Sequence, residues 1–333
     1  MRTYKDLWDK FISPENFKAA VEKACKGKKQ RQQIIRFMED KEGNTELVRQ
    51  LVLQGKFHTS PYRSKTIYEP KERVIYILPF NPDRIVQHAV MNILRPIMES
   101  KFIADSYACI EGRGQLKASI KCSEIVRNST HIYKGDVRKF YPSIDLEILS
   151  GMLHRIIKDD RFMAVVDDII YSFPGGKNCP IGNYCSQWLG NFYLTELDNF
   201  AKHTLHVQYY ERYCDDFVLG GKSAAQCHEW RRQIEAFLRD RLLLTCSKSS
   251  IFSTAQGVDF CGYRSFGKYT LLRKSTARRE LRECARIRRN PEQFTQEEVM
   301  QKAASMNGWA IHACTYNFRQ KAGFADLYGT KAA

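Results

Sequence analysis

The sequence has no run of about 18 apolar residues, which excludes a helix that spans a membrane. Met1 to Lys10 alternate charge with aromatics and lack the apolar stretch of a signal peptide. These two absences predict a soluble chain that stays inside the cell. There is no internal repeat, flexible linker or low-complexity tract, so subdomains folded on each other are expected rather than beads on a string. No CxxC pair occurs among the eleven cysteines. The closest pair, Cys179 and Cys185, has no paired histidines beside it to complete a zinc site. An odd count without a secretion signal fits reduced thiols better than disulfides.

What the chain does have is positive charge. Its 333 residues carry a net +16, with a pI near 9.3. Such a field draws polyanions, chiefly nucleic acid, through counterion release. Hydrophobic residues make up 43% and aromatic residues 12%, enough for a packed core and too much for a disordered chain. The length suits one large domain or two to three subdomains.

The first 55 residues read as helices: Pro14 to about Cys25, a run ending at Glu39, and Asn44 to Gln54, stopped by Gly55. Basic residues of Lys26 to Arg31 separate the first two. Between Tyr62 and Leu78 the pattern becomes a strand hairpin tipped by Lys71 and Arg73. A helix is predicted from Asp83 to Met98. His131–Val137 reads as a strand with Asp136 near its end. Helices are predicted over Leu146–Ile157, with Ser143 or Asp145 as cap, and over Ser186–Lys202. Val207–Tyr213, a turn at Cys214-Asp215-Asp216 and Phe217–Leu219 make a second hairpin. A helix over Ser223–Leu242 and two short strand pairs ending near Leu272 follow. The order implies an α+β fold with a split βαβ sheet, helices on one face. From Ser275 the chain is helical and rich in arginine.

Tyr213-Cys214-Asp215-Asp216 places two adjacent carboxylates in a turn between apolar strands. Turns favour Asp for backbone reasons alone, so a lone pair there usually carries no function. Here the flanking strands look buried, and two acids beside a core are costly unless a cation neutralises them. Asp136, at the end of another strand, supplies a third acid. If the strands share a sheet, the acids converge on two Mg²⁺ ions about 3.5–4 Å apart, which clamp attacking and leaving oxygens in line. Such a site performs phosphoryl or nucleotidyl transfer.

Three segments now match a known pattern in order and spacing. They are Asp136-Val137-Arg138-Lys139-Phe140-Tyr141-Pro142-Ser143-Ile144-Asp145, the Tyr-x-Asp-Asp hairpin, and Gly257-Val258-Asp259-Phe260-Cys261-Gly262-Tyr263. Together they resemble the ordered motifs of reverse transcriptases from about Tyr62 to Leu272. The resemblance implies a right-hand polymerase: a helical N-terminal region (1–60), fingers and palm (61–272) and a helical thumb (273–333).

By that resemblance Asp136, Asp215 and Asp216 are catalytic and hold Mg²⁺, with Mn²⁺ able to substitute. The Val137 carbonyl would complete a coordination sphere, and Asp216 is the weaker ligand or a support. Asp145 and Asp259 are decoys, the first a helix cap and the second in a strand turn far along the chain from the cluster. Tyr141, beside Phe140, stands where the family places a gate against the ribose 2′-hydroxyl; the alternative for this ring is packing in the palm. Lys71 and Arg73 resemble residues that grip the dNTP triphosphate. Lys248 falls where a palm lysine lies near the pyrophosphate.

In Pro180-Ile181-Gly182-Asn183-Tyr184-Cys185-Ser186-Gln187, most reverse transcriptases carry Gln at the place of Ile181 and Pro at that of Gln187. This departure resembles the reverse transcriptases of diversity-generating retroelements, found in bacteria and phages, which misincorporate opposite template adenines. The segment 69–73, Asp83–Ala89, Leu271–Ser275 and Asn307–Ala310 also resemble that group. About 70 residues follow Gly262, room for a thumb but not for an RNase H domain. The resemblance implies template RNA, cDNA and dNTPs as ligands and a pentameric basic accessory protein as partner, in the cytoplasm of a bacterial host. Two other readings stand beside it: a compact retron-like or defence reverse transcriptase of ordinary fidelity, and a non-catalytic nucleic-acid-binding protein on a polymerase fold.

Overall fold

The computed structural model describes residues 2–68 and 72–323; Lys71 lies outside the described residues. The chain divides into two compact units. The first comprises 1–104, 137–199 and 235–247, the second 105–136, 200–234 and 248–333.

In the first unit the Ser13 hydroxyl accepts from Asn16 N and caps the helix Pro14–Cys25, and Pro14 sits where its missing N–H costs nothing. Phe17, Ala20, Val21 and Ala24 form its buried stripe, which packs on the helix Ile85–Glu99. The next two helices are Gln32–Met38 and Lys41–Leu53. The second starts earlier than the sequence predicts because the Asp40 carboxylate accepts from Gly43 N. β1 (Arg63–Ile67) and β2 (Arg73–Ile77) form the expected antiparallel hairpin, Ile67 opposite Arg73. A kinked segment at Phe80–Arg84, with Asn81 extended (φ −110°, ψ 127°), delays the next helix to Ile85. Helix Leu146–Ile156 is capped by Asp145 rather than Ser143. Helices Trp8–Ile12 and Asp160–Tyr171 are additional to those the sequence predicts.

The helix expected from Ser186 to Lys202 is interrupted. It runs Ser186–Tyr193, resumes over Thr195–Asn199 and ends in a π turn. The Thr195 hydroxyl donates to the Phe192 carbonyl at 2.7 Å, a local bond that competes with the helical ladder.

The second unit holds a four-stranded sheet of β3 (His131–Val137), β4 (Tyr209–Tyr213), β5 (Asp216–Gly221) and β6 (Cys246–Ser253), in the order β4-β5-β3-β6. Both neighbours of β5 run antiparallel to it. Ala118, Cys122, Ile125 and Val126 of helix Gln115–Arg127 close a core with Ile132, Val218, Val258 and Phe260. The two strand pairs expected before Leu272 are arranged differently. β6 joins the four-stranded sheet, and β7 (Val258–Phe260), β8 (Tyr263–Ser265) and β9 (Thr270–Leu272) make a three-stranded meander. Helices Lys274–Arg289, Gln296–Ala310 and Tyr316–Ala322 follow, the first and second meeting at Cys284 and Met306. Among the described residues, no helix is long and apolar enough to cross a membrane.

Candidate active site

Side chains alternate across a strand, so one face of the sheet follows from the register. It carries three rows: Tyr209, Gly220 and Ile132; Glu211, Val218 and Lys134; Tyr213, Asp216 and Asp136. The face is apolar at Ile132 and Val218, which belong to the core, and acidic at its other end. Asp136 and Asp216 are direct cross-strand partners, so their Cβ atoms stand about 4.5–5.5 Å apart. Two like charges so placed repel, and the surroundings answer with cations. Lys134 Nζ lies 3.9 Å from Asp216 Oδ1. Burial pushes the Asp216 carboxyl above its usual value and Asp136 adds to this, while Lys134, Arg273 and Lys248 pull it back.

The opposite face shows why β3 has a glycine beside its acid. The Phe217 ring covers Gly135, and a Cβ there would stand 2.1 Å from Phe217 Cζ. That ring packs edge-on against Tyr133, with centroids 5.6 Å apart.

Cys214 and Asp215 are the two central residues of the hairpin turn, and Asp216 already belongs to β5. Cys214 takes φ 53°, a conformation that favours glycine, and Asp215 does not. A positive φ at the first central residue alone marks a type II′ hairpin turn. The strained residue is braced by Arg212, which is fully buried: Nη1 donates to the Cys214 carbonyl at 2.9 Å and Nη2 to Ser106 Oγ at 3.1 Å. No motif in the sequence singles out Arg212. Its signal is an arginine in a strand flanked by tyrosines, which burial makes costly without fixed partners.

Nor does any motif single out Lys134, although it lies two residues before Asp136 and hence on the same face. Its ammonium donates to the Asp259 carbonyl at 2.7 Å. Arg273 Nε meets Asp259 Oδ1 at 2.5 Å. Asp259, far along the chain from the cluster as expected, therefore comes close to it in space and anchors the lysine that faces Asp216. Asp145 is a cap, as expected, accepting from Glu147 N and Ile148 N. Lys248 is exposed on β6.

The remaining expected residues belong to the first unit. Lys139, with φ 44°, turns the chain from β3 into a short helix, Phe140–Ser143. Phe140 is buried and Tyr141 half-buried, their ring centroids 5.1 Å apart. Both rings lean on Gly190, where a Cβ would stand 3.1 Å from each. The loop carrying Ile181 and Gly182 is fastened to β2: the Ile181 carbonyl accepts from Tyr76 N at 2.8 Å, and Arg84 Nη2 donates to the Gly182 carbonyl at 2.7 Å. Gly182 has φ +118°, and a Cβ there would meet the Tyr76 carbonyl oxygen at 2.3 Å, so no other residue fits without a shift. Arg73 and Gln187 are exposed, Ile181 half-buried and Val137 buried.

Among the described residues, no three His, Cys, Asp or Glu side chains converge as a ready-made metal cage. The donors present still suit a hard divalent cation. Mg²⁺ binds through one or two carboxylates and completes its sphere with water and substrate phosphates. Asp136 and Asp216, opposed in register and close enough to repel, are the residues that would hold it, with Asp215 beside them in the turn. When bound, such ions stabilise the attacking and leaving oxygens of nucleotidyl transfer.

Residues 65–265 match the family described as reverse transcriptase (RNA-dependent DNA polymerase). The chain belongs to this family. It is an RNA-directed DNA polymerase on the right-hand polymerase fold, acting on an RNA template and dNTPs; reverse transcriptases in general use divalent metal ions. It is similar to protein YkfC of Escherichia coli (strain K12), 26% identical over 325 residues, 80% of either chain. It is also similar to the uncharacterized mitochondrial protein ymf11 of Marchantia polymorpha, 28% identical over 120 residues, 36% of this chain and 16% of that one. Telomerase from Candida albicans, solved with a TWJ fragment of telomeric RNA, shares the fold: TM-score 0.50 at 9% identity, covering 86% of this chain and 67% of that one.

Proposed function

We propose that this reverse transcriptase copies a template RNA with errors concentrated at adenines, as the polymerase of a diversity-generating retroelement. Asp136, Asp215 and Asp216 are its metal-binding acids, with the Val137 carbonyl as a further ligand and Mg²⁺ as the metal, Mn²⁺ substituting. Tyr141, packed with Phe140, excludes the ribose hydroxyl. Arg73, with Lys71, grips the triphosphate; Ile181, Gly182 and Gln187 border the nucleotide, and Lys248 serves the pyrophosphate. Residues 61–272 act as fingers and palm and 273–333 as thumb. A pentameric basic accessory protein helps to bring the RNA.

The observation that carries this reading is Ile181. Its backbone carbonyl is pinned to β2 and the next residue admits no side chain, so the loop offers an apolar group at a fixed place. Where most relatives have a glutamine that can hydrogen-bond, this residue has no donor. Losing about 1.4 kcal/mol of discrimination between transition states raises errors roughly tenfold. This supports general looseness; the direction toward adenine rests on the resemblance.

Sequencing the cDNA made from a defined RNA tests it. Errors concentrated opposite adenine, and reduced in Ile181→Gln, are expected. Evenly rare errors would select the retron-like or defence reading, and no Mg²⁺-dependent extension at all would select the non-catalytic one.

A further inference from the structure

The thiols of Cys109 and Cys214 are hydrogen-bonded to each other, although the residues are far apart in sequence and one of them sits in the catalytic turn. The backbone explains why they meet. Segment 105–107 runs parallel along the edge of β4: Arg212 N donates to the Asp105 carbonyl at 2.9 Å, Tyr107 N to the Arg212 carbonyl at 3.0 Å, and Ser106 pairs with Arg212. Cys214 lies two residues beyond this single bridge on its strand, and Ala108 two residues beyond it on the other. Cys109 follows with φ 58°, a left-handed kink. The segment is well held. The Asp105 carboxylate meets Lys202 at 3.0 Å and Lys121 at 3.7 Å, and Arg113 Nη1 donates to the Ser106 carbonyl at 2.6 Å.

From this placement we infer that Cys109 and Cys214 form a peroxide-oxidisable pair, a reversible disulfide site that locks the catalytic turn. Two sulfurs already in hydrogen-bond contact need little movement to reach the bonded distance of about 2.05 Å. Cys109 is exposed, so a small oxidant reaches it, whereas Cys122, Cys179, Cys185, Cys227 and Cys284 are buried. Cys109, the more exposed of the two, is the thiol that meets the oxidant and attacks first.

The chemistry balances with hydrogen peroxide as oxidant. The Cys109 thiolate attacks one peroxide oxygen, the O–O bond breaks with transfer of two electrons, and the other oxygen leaves as water after taking a proton. Cys109 is then a sulfenic acid. The Cys214 sulfur attacks the Cys109 sulfur, the S–O bond breaks, and the departing hydroxide takes the Cys214 proton as a second water. A dithiol reverses the link by exchange. The cross-link constrains Cys214, whose carbonyl Arg212 holds and whose neighbour is Asp215, so the oxidised enzyme is expected to lose nucleotidyl transfer.

This inference rests on the family and not on the adenine-directed reading, and its first readout needs no activity. Full-length protein is treated with hydrogen peroxide, alkylated, digested without reductant and mapped by mass spectrometry. A peptide joining Cys109 to Cys214 is expected, together with at least a tenfold fall in primer extension on an RNA template that dithiothreitol reverses. Cys109→Ser keeps a hydroxyl hydrogen-bonding group at that place and should retain extension before treatment. The same peroxide dose should then cost it much less activity. Cys109→Ala gives the same contrast if the serine variant folds poorly. Absence of the joined peptide overturns the inference, as does equal inactivation of wild type and either variant.

Discussion

Glu211 and Asp216 stand on the same face of one sheet, on neighbouring strands, and burial raises the pKa of both carboxyls. Their surroundings then separate them. Glu211 is fully buried, and neither of its oxygens meets an N–H or O–H donor. The Cys122 thiol donates to it and, with Lys121, opposes the rise, while Asp105 and Glu124 push its pKa further up. The Asp216 side chain keeps 43% exposure and faces Lys134, with Arg273 and Lys248 near enough to act on it. Two residues along a β-sheet face thus separate a carboxyl whose charged form burial disfavours from one kept chargeable. Low dielectric alone disfavours the charged form; a solvent opening and fixed cations restore it.

The largest effect that sharpens this contrast is expected from replacing Asp215 and Asp216 together by Asn. Primer extension should fall by at least about a thousandfold, some 4 kcal/mol of barrier. Filter binding of RNA should stay close to wild type, because the basic surface contacts phosphate independently. Loss of both together would trace the defect to folding.

Arg212→Leu comes next. It leaves the Cys214 carbonyl and Ser106 hydroxyl without their buried donor, each such loss costing about 1–3 kcal/mol. A drop in kcat of at least tenfold, with a smaller change in KM for dNTP, is expected from steady-state extension. A change in KM alone would remove Arg212 from the support of the turn.

Lys134→Met should reduce kcat severalfold, because Asp216 loses its nearest cation and the Asp259 carbonyl loses its donor. Unchanged kinetics would break the comparison at its cationic side.

The smallest effect is expected from Glu211→Gln. With a raised pKa in the folded state, the native protein binds more protons than the unfolded chain between the ordinary carboxyl value and the folded one, so stability falls as pH rises through that window. The glutamine variant lacks this loss. It should melt higher by about 2–4 °C at pH 8, for a gain of about 1 kcal/mol, and the difference should shrink toward about pH 4. A lower melting temperature at pH 8 would mean that Glu211 is ionised and paired.

The part of this contrast that could be read in the sequence is the part with local cues. β3 has the predicted bounds His131–Val137, and the Tyr-x-Asp-Asp hairpin announces itself by two acids between apolar strands. The hairpin β1–β2 and helix Pro14–Cys25 were legible for the same reason, one from alternation and one from Ser13 and Pro14 at its start. Partners distant in sequence left no such cue. Arg212 is completed by Ser106, 106 residues away, and Lys134 by the carbonyl of Asp259, 125 residues away. Nothing local tells Glu211 from a strand-edge glutamate exposed to water. The break at Leu194 was hidden because Thr195 diverts the Phe192 carbonyl within an otherwise apolar helical pattern.

Extension of a DNA primer on an RNA template, at stepped Mg²⁺ concentrations, tests the central claim most directly when Asp136→Asn and Glu211→Gln are run beside wild type. Asp136→Asn should extend nothing measurable at any Mg²⁺ concentration, and Glu211→Gln should keep the wild-type dependence on Mg²⁺. Extension by Asp136→Asn near the wild-type rate, or a shift in Mg²⁺ requirement caused by Glu211→Gln, would contradict the proposed division of this sheet face into an end that holds metal and an end where burial disfavours charge.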